Sequence, residues 1–122
     1  MIMRLFKRTE TEFLPAKEAY IASVPAMKMD VMDKISQAIK DGRNKAYWDG
    51  DAAKLPVEIV KQLVEKGYSL EVAYYDFKDY PSVTIFFNKN ATGELIKVDD
   101  DITNRKVTPL TYEEYEKIGR RN

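Results

Sequence analysis

The sequence predicts an α+β fold: a single compact domain over residues 1–122, with a small, mainly antiparallel sheet and amphipathic helices packed on one face. Three observations lead there. Two segments place apolar residues at helical spacing and close on Gly42 and Gly67. Two later segments, "YSLEVAYYDF" and "SVTIFF", alternate apolar and polar residues as half-buried strands do. A chain of 122 residues is also the length of one domain. One sheet with helices against a face gives every apolar stripe somewhere to go.

In chain order, the first element is a short helix in "LPAKEAYIA", with Pro15 in its first turn and good helix formers behind it. Pro25 is expected to interrupt it. A second helix runs through "MKMDVMDKISQAIKDG", where Met27, Val31, Ile35 and Ile39 recur every four residues with Ala38 beside them. Gly42 ends it as a left-handed cap. "KAYW" then forms a short strand in which Tyr47 and Trp48 point to opposite faces. The next helix starts at Pro56; Val57, Val60, Leu63 and Val64 make its buried stripe, and Ile59 widens it. Leu70, Val72 and Tyr74 share one face of the following strand, as do Val83, Ile85 and Phe87 of the next. "DFKDYP" between them has the polar groups and proline of a hairpin connection. "NKNATG" turns the chain into a strand "ELIKV", and "RKVTPL" extends a sheet edge. Thr111 caps a last helix, "YEEYEKIG", with Glu114 at the reciprocal capping position. The expected core joins Ile35, Ile39, Val60, Leu63 and Val64 to Leu70, Val72, Val83 and Ile85. A central unit of about 30–98 is flanked by an N-terminal arm, 1–29, and a C-terminal extension, 99–122.

Composition narrows the chemistry. Twenty basic and twenty acidic residues cancel, so no global field draws the chain to nucleic acid or an anionic membrane. Without cysteine there are no disulfides or thiolates; without histidine the commonest metal ligand and the usual acid/base group at neutral pH are missing. Triads and the common zinc sites are thereby excluded, and no cofactor is expected. No apolar run suits a signal peptide or a membrane span, so no membrane partner is expected. The glycine spacing matches no phosphate-binding loop.

The acidic run "VDDDITN" fails as an EF-hand. Its aspartates are consecutive, the central glycine is missing, and the twelfth position counted from Asp99 is Leu110. Asp99 and Asp101 remain as candidate ligands for Ca²⁺ or Mg²⁺, because alternate residues of an extended segment face one way; a solvated turn is the plainer reading. Aromatic residues gather at Tyr68, Tyr74, Tyr75, Phe77, Tyr80, Phe86 and Phe87. Rings that stack bases are interleaved with lysine and arginine, whereas residues 68–101 carry three basic groups against seven acidic. The charge argues against nucleic acid. Trp48, Tyr75, Phe77, Tyr80 and Phe86 are therefore candidates for a protein interface. For Trp48 the alternatives are packing at the seam between helix and sheet, or stacking on a ligand. Tyr75 and Phe86 lie in the opposite register to the main apolar sets of their strands, so an exposed patch there favours a homo-oligomer, unless "MIMRLF" folds over it. Catalysis has only Asp, Glu, Lys and Tyr to draw on, with Glu71 and Asp76 as the pair a hairpin could bring together.

Residues 31–88, through "ISQAIKDG", "AYW", "LPVEIVKQLVEKGY" and the alternating "LEVAYY" and "VTIFF", resemble small uncharacterised proteins encoded by tailed bacteriophages. The resemblance implies a viral protein in the cytoplasm of a bacterial host or incorporated in the virion, and it carries over no catalytic residues. The expected function is non-catalytic binding to a protein partner, either of the virion or of the host. The alternatives are a nucleic-acid mimic or binder that modulates a host system, and a carboxylate-dependent enzyme.

Overall fold

The computed structural model describes residues 13–49, 53–74, 79–100 and 105–119. Their elements are helix α1 (Ala16–Lys40), strand β1 (Lys45–Trp48), helix α2 (Val57–Glu65), strands β2 (Ser69–Ala73), β3 (Ser82–Phe86), β4 (Leu95–Asp100) and β5 (Arg105–Pro109), and helix α3 (Tyr112–Lys117). The α+β fold is present as one five-stranded sheet in the order β1-β3-β2-β4-β5. Every neighbouring pair is antiparallel except β2 with β4.

Register decides which side chains share a face, because directly paired residues point the same way. Ala46 pairs with Ile85 and Trp48 with Val83; Leu70 pairs with Ile85 and Val72 with Val83; Leu95 pairs with Leu70. All of these are buried, and they form one cluster with Val31, Ile35 and Ala38 of α1, Ile59 and Val60 of α2, and Tyr115 of α3. The helices therefore cover a single face. Tyr47, Glu71, Thr84, Phe86 and Ile96 lie on the other.

Two expectations about α1 are corrected. It is one helix that runs straight through Pro25. A proline inside a helix costs about 3 kcal/mol through its missing N–H and its ring. Here Pro25 is exposed, so water can serve the carbonyl it leaves unpaired. Burying Val31 and Ile35, each worth about 1.5–3 kcal/mol, holds the following turns. Ile39, expected in the core, is 60% exposed, and Ala38 at 1% takes its place. The cause is geometric: steps of four residues drift by about 40° each on a helix of 3.6 residues per turn. Over the two steps from Val31 to Ile39 the side chain leaves the sheet. In α2 the buried pair is Ile59 and Val60, while Leu63 and Val64 are half-buried against the cluster.

Both longer helices end in a Schellman turn. After α1, Gly42 (φ 74°) donates to the Ile39 carbonyl and Arg43 to that of Ala38; after α2, Gly67 donates to Val64 and Tyr68 to Leu63. The return into β4 passes close to α2. A Cβ on Gly93 (φ 75°) would stand 2.9 Å from the Val64 carbonyl oxygen. Ser69 Oγ accepts from the Thr92 and Glu94 amides, and the Leu70 amide donates to the Glu94 carbonyl, which fixes β4 alongside β2. At the far edge all five residues of β5 are exposed. Leu110 donates to Leu95, so the alternation of the ladder turns Pro109 outward, where a missing N–H does no harm and discourages further strand pairing.

Helix α3 closes the core. Thr111 and Glu114 form the expected capping box. Tyr115 is fully buried, and its hydroxyl donates to the Leu55 carbonyl. No helix among the described residues is long and apolar enough to cross a membrane.

Candidate functional site

The residues singled out from sequence do not converge. Trp48 is 7% exposed and belongs to the core cluster, with Nε1 donating to the Ala53 carbonyl at 3.2 Å; this withdraws it from any contact surface. Phe86 is half-buried on the face opposite the helices, with Lys45 Nζ 5.9 Å from its ring centre. Tyr80 is half-buried in the turn before β3. Tyr75, Phe77, Asp76, Asp101 and the segment "MIMRLF" lie outside the described residues, and Asp99 is exposed on β4. Among the described residues no three acidic groups gather as a metal site. Glu71 is bound to Arg105, whose Nη2 lies 2.6 Å from Oε1.

The titratable groups with shifted protonation serve the fold. Lys54 is lowered from its ordinary value by burial, partly countered by Glu116. Its Nζ donates to the carbonyls of Glu116 (2.9 Å) and Ile118 (2.6 Å) and sits 4.8 Å from the Tyr115 ring centre. That is a clamp on the end of α3, with its amine already committed. Burial also pushes the Tyr115 phenol far above its usual range. Tyr20 is raised by burial and by its hydrogen bond to Glu58 at 3.0 Å, a contact that ties the first half of α1 to α2.

What the structure does assemble lies along the two flanks of α1. On the flank facing α2 is an apolar groove of about 260 Å³. Val31, Ile35 and Ile59 form its buried floor, Met32, Leu63 and Tyr68 its walls, and Lys28, Glu65 and Lys66 stand at its rim. Beside it α1 keeps further apolar residues in solvent: Ile21 is 58% exposed, Met29 57% and Met32 50%. Ile21, Met32 and Ile39 form a stripe next to the buried one, and Met29 lies further round the helix, so the apolar arc of α1 is wider than the sheet can cover.

On the opposite flank an open cleft of about 450 Å³ wraps the β1 edge, lined by Lys34 and Gln37 of α1, by Arg43 and Ala46, and by Lys45, Tyr47 and Thr84 from the sheet face turned away from the helices. The turn at Gly42 builds it, because it swings Arg43 and Lys45 back beside the last turns of the helix. Neither flank was singled out from sequence. Residues 30–67 hold seven basic and seven acidic groups, and that balance hides three cations brought together by the fold. The wide arc of α1 was the one available signal, in Ile21, Met29 and Met32.

No family model, curated protein or solved structure matches this chain.

Proposed function

We propose that the protein acts by binding another protein, without catalysis, and that the groove between α1 and α2 receives an amphipathic helix of the partner. The observation behind this reading is the exposed Met32, which stands over a floor of Val31, Ile35 and Ile59, with Ile21 and Ile39 exposed along the same side of the helix. Contiguous apolar surface of this kind marks an interaction site. Methionine adapts to the side chains it meets, and a trough between two helices suits a third laid along it, with Lys28, Lys66 and Glu65 at the rim to pair with charges beside its apolar stripe. The phage resemblance directs the search to virion and bacterial host proteins.

The test compares wild type with Met32→Glu in capture from a bacterial lysate, followed by mapping of the captured partner on amide NMR spectra. A partner retained by wild type, lost by the folded variant, and perturbing residues 28–35 and 59–68 supports the reading. Equal capture by both proteins overturns it, as does perturbation confined to other surfaces.

A further inference from the structure

The cleft on the other flank of α1 carries an inference independent of the protein-binding reading. Its lining brings Lys34, Arg43 and Lys45 to one concavity, and no carboxylate lines it among the described residues. In a chain whose charges cancel, that is a local excess of positive charge. Two carboxylates stand next to the lining: Lys34 Nζ is 3.7 Å from Asp30, and Asp41 bridges two lining residues, accepting from Gln37 Nε2 at 3.0 Å and from Arg43 Nη2 at 3.1 Å. All four charged side chains are well exposed, and such surface pairs are weak and readily exchanged. A phosphate dianion carries a second charge and further acceptor oxygens that a carboxylate lacks, so it can take two parallel hydrogen bonds from a guanidinium and still meet the point charges of the lysines.

The neutral residues refine the assignment. Thr84 offers a hydroxyl to polar groups beside the phosphate, Gln37 an amide whose Nε2 donates to Asp41 Oδ1 at 3.0 Å, and Tyr47, 42% exposed, a ring face. Exposed tyrosine next to paired cations suits a planar heterocycle attached to a phosphate. The volume, about 450 Å³, falls in the range of small-molecule sites. We propose that this cleft binds a small phosphate monoester of the mononucleotide class, with the phosphate on Arg43, Lys45 and Lys34 and the base against Tyr47. The proposal is one of binding: among the described residues no carboxylate lines the cleft.

The experiment is an amide NMR titration of the intact chain with orthophosphate, adenosine, adenosine 5′-monophosphate and a 5′-phosphorylated oligothymidylate, at low and high salt. Orthophosphate and the monophosphate should both shift residues 34, 37, 43–47 and 84, the monophosphate about tenfold more tightly because the ring adds to the charge. Adenosine alone should bind far more weakly, and added salt should weaken both anions. Arg43→Ala and Lys45→Ala should each weaken the monophosphate about tenfold, and Tyr47→Ala should remove its advantage over orthophosphate. Lys106→Ala, on the distant β5 edge, should change nothing. All four side chains are exposed, and retained far-UV circular dichroism confirms that the variants fold. Shifts scattered over the basic surface, equal binding by the Arg43 and Lys45 variants, or no shifts at millimolar ligand overturn the proposal. An oligonucleotide more than about tenfold tighter than the monophosphate also overturns it, because extra phosphate contacts, and not the cleft, then set the affinity.

Discussion

Helix α1 has two flanks built from the same turns and suited to different partners. Toward α2, Val31, Ile35 and Ile59 leave an apolar trough between two packed helices; toward the β1 edge, Lys34, Gln37 and Arg43 make a polar cleft at the margin of the sheet. The difference follows from what each flank adjoins. Where a second helix lies alongside, the floor of the groove is the hydrophobic core itself, so any change there is felt by the whole fold. Where the helix overhangs a sheet edge, long charged side chains reach water and can be exchanged at little structural cost.

The sharpest way to break this contrast is to truncate neighbouring residues. Ile35→Ala should lower stability by about 2–5 kcal/mol, read from urea unfolding, whereas Lys34→Ala should stay within about 0.5 kcal/mol. A comparable loss at Lys34 would mean that the basic flank is structural. Next in size is Gly93→Ala, which places a methyl against the Val64 carbonyl at a positive φ. It should cost about 1–3 kcal/mol and perturb amides of 64–68, leaving those of Arg43 and Lys45 in place; shifts on the basic flank would show that the flanks are coupled. Thr111→Ala should cost about 1 kcal/mol by removing the cap of α3.

The same capping box gives a pH dependence. The hydrogen bonds from Thr111 hold the Glu114 carboxyl below its ordinary value. Its contribution is therefore complete above the ordinary glutamate pKa and lost as pH falls through the lowered one. Carboxyl carbon shifts should show Glu114 titrating below the ordinary glutamate value, together with a loss of protection of the α3 amides, relative to intrinsic exchange rates, in acid; an ordinary midpoint would remove the box. Smallest is the effect of salt. Because the pairs of Lys34 with Asp30 and Arg43 with Asp41 are exposed, high salt should change stability by less than about 1 kcal/mol, while weakening anion binding to the cleft much more.

Much of the fold was legible because it is local. The strands from Ser69 to Phe86, the two glycine-terminated helices and the Thr111–Glu114 box all follow from periodicity and capping within a few residues. The place of β1 beside β3, and the parallel entry of β4 beside β2, depend on pairings between distant segments that no local pattern encodes. Pro25 misled because a breaker was read without the packing that carries a helix past it. Ile39 misled because a regular four-residue step looks like a stripe until its drift is followed. The site was least legible. Lys34 sits among acids in the chain, and only the turn at Gly42 brings Arg43 and Lys45 back beside it.

Tyr115 has a consequence for how the protein is made. The phenol fills the core beside Leu55 from a helix that follows all five strands, so a ribosome has finished the sheet before supplying the side chain that seals it. Until then the backbone carbonyl of Leu55 and the apolar surfaces around it stand open on the nascent chain. Lasting resistance to proteases should therefore arrive in one late step, once residues 111–118 have docked.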